Sequence, residues 1–213
     1  INIFGERLIL QMPEEMTIGE KDNNSFHYLM LFKDGIRIDL TLFPLEKFGM
    51  IKPDSLTISL LDKDNIFEQL SPACNKDYLI KQPGEKEFTD CCNEFWWVST
   101  YIAKGLWREE IIYAKEMLEV PVRSMFLKII EWHIGVETKF TVSFGKSGRN
   151  LKRYVSADLY SNILSTYPDS NVINIWNSLF IMTEIFSQLA HAIAHNLHFH
   201  YDIDEEQNVR DYL

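Results

Sequence analysis

The stretch from Phe26 to Pro44, FHYLMLFKDGIRIDLTLFP, constrains the fold more than any other. Two strand-prone apolar runs flank Lys33-Asp34-Gly35, and Asp-Gly between such runs predicts a β-hairpin, because glycine enters the left-handed turn region at no steric cost. In the second run Ile36, Ile38, Leu40 and Leu42 fall on one face and Arg37, Asp39, Thr41 and Phe43 on the other. A carboxylate inside so β-prone a run is either solvated, with or without Arg37 as its partner, or held for chemistry.

Around the hairpin, Arg7 to Gln11 reads as a short strand and Leu56 to Leu61 (LTISLL) as a further one, ending in Asp62-Lys63-Asp64. The segment Ser71 to Gly84, with Pro72 and Pro83, marks a domain boundary. Strands dominate before it and helices after it. Phe88, Cys91, Cys92, Phe95, Val98 and Ile102 make an apolar stripe at helical spacing, predicting a long helix to about Lys104 that Gly105 breaks. Further helices are expected over Arg108 to Leu118, ending before Pro121, over Val122 to Val136, over Ala157 to Thr166 and over Val172 to about His198. A basic, glycine-containing loop spans Lys139 to Arg153, and an acidic tail follows the last helix. The expected fold is α+β: a small mixed β-sheet over residues 1–82, then an α-helical bundle over 83–213.

Composition narrows the function classes. With 46% hydrophobic residues and five Trp, the chain can bury a sizeable core. A net charge of −10 without a basic stripe argues against a nucleic-acid binder and is compatible with a cationic small ligand. No apolar run approaches the ~20 residues of a membrane span. Three cysteines, two of them adjacent, form no disulfide framework, so reduced, buried thiols and a cytoplasmic location are expected. His191, His195 and His198 share a helix face but lack a carboxylate among them and read as ordinary helix-surface histidines.

Several segments resemble one family. IDLTLFP at 38–44, LLDKD at 60–64, EFTDCCNEFWWVSTYIAKGL at 87–106 and GKSGRNLKRYVS at 145–156 are similar to the aminoglycoside 6-adenylyltransferases, which inactivate streptomycin. The resemblance runs along essentially the whole chain. It implies the nucleotidyltransferase superfamily, with AMP passing from ATP to the 6-hydroxyl of streptomycin's streptidine ring, Mg²⁺ as cofactor and an active site between two domains. Asp39 matches the family's third carboxylate and is expected to serve as catalytic base and metal ligand. Lys104 is expected to reach the nucleotide phosphates; Asp62 and Lys63, closing the 56–61 run, are expected to contact the nucleotide or the cleft, with plain turn chemistry as the alternative. Asp90, Asn93, Glu94 and Trp97 share one helix face and are expected to receive the guanidinium-rich acceptor, since carboxylates bind guanidinium in bidentate geometry and indoles stack on it. Lys146, Lys152 and Arg153 form a local basic patch that either attracts ATP phosphates or, as is commoner for such patches, is simply solvated. The superfamily's Gly-Ser motif and Asp-x-Asp pair, which grip phosphates and metals, have no counterpart ahead of Phe26. The expectation is therefore that the first half of the catalytic domain lies outside this sequence and that these residues alone do not complete the active site. A non-catalytic binding protein on the same fold is the alternative, and oligomeric state is open.

Overall fold

A computed structural model describes residues 4–19, 24–65 and 70–213. The chain divides into two compact units, Ile1–Ala73 and Cys74–Leu213. The division falls before the second proline of the Ser71–Gly84 segment because residues beyond it are already held by the helical unit. Ile80 is buried in that unit's core, and its backbone N–H donates to Val142 O at 2.9 Å.

The first unit carries a three-stranded sheet in the order β1-β2-β3, with β1 at Arg7–Gln11, β2 at Phe26–Phe32 and β3 at Arg37–Leu42. Both strand pairings are antiparallel, so the described strands contain none of the parallel pairing that a mixed sheet implies. The hairpin forms as its turn residues dictate. Gly35 lies at φ 83°, its N–H donates to Phe32 O, and Phe32 N–H donates across the loop to Ile36 O at 2.9 Å. The Asp34 carboxylate accepts the N–H of Ile36 at 3.0 Å, which ties the turn to its own side chain. The register places Ile38, Leu40 and Leu42 opposite Met30, Tyr28 and Phe26, and Asp39 opposite Leu29. Phe26, Leu40 and Leu42 stay 44 to 57% exposed, so this sheet covers little of its own apolar face.

The strand expected at 56–61 is absent. Leu60 is 90% exposed, and the chain there curls on Asp54, whose carboxylate accepts from Thr57 Oγ1 at 2.8 Å and from Leu56 N–H at 3.0 Å. Such side-chain-to-backbone bonds compete with a ladder and here replace it.

The core lies in the helical unit. Helix α1 spans Glu85–Trp107, α2 Ile111–Met117, α3 Arg123–Glu137, α4 Ala157–Leu164, α5 Val172–Leu197 and α6 Ile203–Tyr212. Phe95 stacks on Phe186 with ring centroids 3.6 Å apart, Trp96 meets Phe186 edge-on, and all three rings are at most 1% exposed. Gly105 does not break α1. A Cβ there would meet the Tyr113 ring at 3.0 Å and Ala114 Cβ at 3.1 Å, so the glycine permits α1 and α2 to approach closely. Nor does Pro121 stop its helix. Leu118–Val122 forms a π turn that carries α2 into α3, the arrangement by which a proline without an N–H is accommodated inside a helix. Below this joint Arg123 is buried; its Nη2 donates to Thr166 O, and its guanidinium lies 3.8 Å from the Tyr167 ring centroid.

The acidic tail is helix α6, capped by Asp202, whose carboxylate accepts the N–H of Glu205 at 2.8 Å. Cys74 is exposed, contrary to the expectation of three buried thiols, because it sits at the junction of the units and outside any helix. Cys91 and Cys92 are buried in α1, and burial pushes Cys91 up to about 12 and Cys92 higher still. Since the thiolate is the nucleophile, a thiol reagent at pH 8 is expected to label one cysteine in the folded chain and three after unfolding. Native labelling of Cys91 or Cys92 would contradict this packing.

Candidate functional site

Helix α1 presents a polar face along Asp90, Asn93, Trp97, Thr100 and Lys104. Its first half meets the chain that leaves α5 and enters α6, and between them lies a cavity of about 260 Å³. Asp90, Asn93 and Trp96 line it from α1; His200, Tyr201, Asp202 and Glu205 line it from the other side. Asn93 Nδ2 donates to Glu205 Oε1 at 2.9 Å across the gap. A second, more open recess continues from it along Asn93, Trp97 and Thr100, with Asp202, Asp204 and Glu205 opposite. Carboxylates therefore predominate among the charged groups of both hollows, and Trp97, 59% exposed, offers an indole face. Its ring N–H donates to Tyr101 O–H at 2.7 Å, which fixes the indole's orientation.

A buried hydrogen-bond chain supports the wall opposite α1. Trp96 Nε1 donates to Tyr201 Oη at 3.0 Å, and Tyr201 O–H donates to Glu206 Oε2 at 2.8 Å. Arg210 Nε donates to Glu206 Oε1 at 2.7 Å, and His191 Nε2 stands 3.4 Å from Oε2. Burial alone would raise the Glu206 carboxyl, but hydrogen bonds from Ser187, Tyr201 and Arg210 together hold it below the ordinary range. Burial and the Glu206 charge push the Tyr201 phenol well up, so it stays a donor. Desolvated polar groups cost stability unless paired, and here they are paired, so the His200–Asp202 segment is fixed against α1. His200 N–H also donates to Glu85 Oε1 at 2.8 Å.

The residues singled out from the sequence are distributed unevenly. Asp90 and Asn93 line the cavity; Asp90 also pairs with Lys86, one turn earlier. Trp97 lines the adjoining recess. Glu94 does not line the cavity; it borders a shallow hollow on α1 together with Asp90, Asn93, Lys86 and Lys128. Lys104 is exposed two turns beyond Trp97, its Nζ 5.3 Å from the Tyr101 ring centroid, with no carboxylate within ion-pair distance among the described residues. Asp62 and Lys63 lie in an irregular segment rather than at a strand end. Asp39, in the first unit, is half exposed and forms a bidentate pair with Arg37, with Nε to Oδ1 and Nη2 to Oδ2 both 2.8 Å. That guanidinium holds its carboxyl below the ordinary range.

Tyr201, Asp202 and Glu205 were not anticipated as cavity residues. Asp202-x-x-Glu205 ahead of an apolar position is a helix-start signal, and reading it would have turned the acidic tail into a helix with its carboxylates placed at one end.

No group of three or more His, Cys, Asp or Glu side chains is arranged for a metal ion among the described residues. Asp39 offers one carboxylate already engaged by Arg37, so the donor set present does not fit Mg²⁺ by itself.

Known proteins resemble this chain along its whole length. The family model described as streptomycin adenylyltransferase matches residues 1–213. The chain is 38% identical over 208 residues to an aminoglycoside 6-adenylyltransferase of Campylobacter jejuni, covering 97% of this chain and 72% of that protein. It is 33% identical over 216 residues to the aminoglycoside 6-adenylyltransferase of Staphylococcus aureus, covering 100% of this chain and 76% of the other. A crystal structure of an aminoglycoside 6-adenyltransferase from Bacillus subtilis aligns with a TM-score of 0.59 at 36% identity, covering 99% of this chain and 78% of that one. A family-model match over the full length, joined to these identities, settles the lineage: the chain belongs to the aminoglycoside 6-adenylyltransferases, a family of nucleotidyltransferase enzymes.

Proposed function

We propose that the chain transfers AMP from ATP to the 6-hydroxyl of streptomycin. The observation that carries the acceptor assignment is the carboxylate-lined cavity between α1 and the start of α6. Streptidine bears two guanidinium groups, and Asp90, Asp202 and Glu205 provide charge for them, with Trp97 in the adjoining recess as a stacking surface. Asn93 and the fixed Tyr201 segment set the distance between the two carboxylate-bearing walls.

In the reaction the acceptor oxygen attacks the α-phosphorus. A new P–O bond forms, the bond to the β-phosphate breaks, and pyrophosphate leaves with its electron pair. The acceptor's proton goes to Asp39, a carboxylate held in place by its Arg37 pair. Lys104 neutralises phosphate charge, as a mobile point cation suits, and Asp62 and Lys63 contact the nucleotide. ATP enters as its Mg²⁺ salt, and the described carboxylates form no cage for the ion.

Incubating the intact natural protein that carries these residues with ATP and streptomycin is expected to give streptomycin heavier by one AMP and stoichiometric pyrophosphate; no such product over hours at micromolar enzyme would sink the proposal. The acceptor site is tested separately by Asp202→Asn, which keeps the α6 cap while removing the charge. Its KM for streptomycin is expected to rise about tenfold or more, with KM for ATP unchanged. An unchanged streptomycin KM in both Asp202→Asn and Glu205→Gln would move the acceptor elsewhere.

A further inference from the structure

The run from Thr138 to Ala157 contains five cations and no Asp or Glu, in a chain whose net charge is −10. Four of them, Lys146, Arg149, Lys152 and Arg153, lie within eight residues and are all exposed. None has a carboxylate within ion-pair distance among the described residues, whereas Lys86, Lys115, Arg123, Lys128 and Arg210 of the same unit each have one. Lys152 has only the Tyr160 ring, 5.5 Å away. Mutually repelling cations on so short a segment raise its free energy unless an anion shares them.

The loop that bears them is built rather than slack. Phe144 and Leu151 anchor its ends in the core, each 6% exposed. Asn150 closes it, donating from its backbone N–H to Phe144 O and from its side chain to Ser143 O, both at 3.1 Å. Gly145 and Gly148 lie at φ 75° and 76°, and a Cβ on either would meet Asn150 Nδ2 at 2.8 Å or the Phe144 ring at 3.0 Å. Between them Ser147, at φ 53°, accepts a left-handed backbone that a non-glycine residue seldom adopts. Two left-handed residues in succession and a closed ring of hydrogen bonds preorganise the cations, so little conformational entropy remains to be lost on binding.

Position supports use at the same end of the helical unit as the cavity. The loop's stem receives the N–H of Ile80 at Val142 O, just ahead of α1, while Glu85 in the first turn of α1 receives His200 N–H from the cavity wall. The acidic hollow suits a cation; the basic loop suits an anion; both flank the start of α1.

We propose that Gly145–Arg153 is a binding loop for a diphosphate group, either the β,γ-phosphates of a nucleoside triphosphate or free pyrophosphate. The assignment of the triphosphate to this loop rests on the AMP-transfer reading above; the affinity for pyrophosphate does not. A compact anion of high charge density matches four cations over eight residues, whereas an extended nucleic acid meets the net negative charge of the remaining surface.

The test is calorimetric titration of the full chain with inorganic pyrophosphate and, separately, with ATP, without aminoglycoside. The Lys146→Gln/Arg149→Gln pair is expected to weaken pyrophosphate binding at least ~tenfold, the loss that follows from removing charged hydrogen bonds. The charge-keeping Lys146→Arg/Arg149→Lys pair retains most of the affinity, and streptomycin binding is unaffected. Lys76→Gln, also in the helical unit, controls for the general field. Pyrophosphate affinity unchanged in the Gln pair, or lost equally in Lys76→Gln, overturns the loop site. If ATP binding falls with pyrophosphate binding, the loop serves the nucleotide; if pyrophosphate alone weakens, it holds the free product. Pyrophosphate bound at the loop in an intact natural protein that transfers no AMP would refute the reaction and leave the loop site standing. AMP transfer with the Gln pair binding like wild type would do the reverse.

Discussion

Asp39→Asn is expected to lower AMP transfer by about 10²- to 10⁴-fold, the range a positioned general base contributes. The substitution is nearly isosteric and half exposed, so circular dichroism and thermal unfolding should barely change. What it removes is the only ionised oxygen pair on the solvated face of β3, together with the partner that orients Arg37. KM values for ATP and streptomycin are expected to move far less than kcat, because the proton is taken in the transition state and not on binding. Restoring charge with Asp39→Glu should recover part of the rate, limited by the extra methylene's displacement of the base. Transfer by Asp39→Asn at a rate comparable with wild type would leave this carboxylate with its Arg37 pair as its whole role.

The second large effect is on stability. Phe186→Ala is expected to cost about 3–5 kcal/mol in denaturant unfolding, because a fully buried ring leaves both its transfer energy and an unfilled cavity behind. Phe186 sits against the Phe95 ring face and the Trp96 edge, and Trp96 in turn donates to Tyr201. The loss should therefore propagate into the acceptor wall: streptomycin KM is expected to rise in Phe186→Ala even at temperatures where the chain stays folded. A cost below about 1 kcal/mol would mean that the aromatic stack is not the centre of the helical core.

How much of this was legible in the sequence depended on whether a residue's role was local. Asp34-Gly35 fixed its hairpin because the turn geometry is written in two residues, and the stripe from Phe88 to Ile102 marked α1 because apolar residues recur there at three- and four-residue spacing. Gly105 and Pro121 were misread for the opposite reason. Each usually punctuates a helix, but here a neighbouring helix needs the space that Gly105 leaves, and the π turn absorbs the donor that Pro121 lacks. Leu56–Leu61 has strand composition without a described neighbour to pair with, and β-propensity is realised only against a partner. The chemistry of α1 was readable as spacing, so Asp90 and Asn93 were found. Their opposing wall was not, because Tyr201 to Glu205 comes from more than one hundred residues away and is brought across by buried hydrogen bonds that no local pattern records.

The π turn at Leu118–Val122 also sets how this chain tolerates changes of length. It holds one more residue per turn than the helices on either side, and each residue advances a helix by about 100°. The turn therefore absorbs its extra residue, so α3 resumes close to the phase of α2, with Phe126, Ile129 and Ile130 on the core and Arg123 at Thr166. Deleting one residue from the turn would restore regular α winding and largely keep that phase, whereas a deletion or insertion within the regular turns of α3 would rotate the residues beyond it by about 100° and swing them off the core. Single-residue length variants among related sequences should therefore collect at this turn and in the connections between helices.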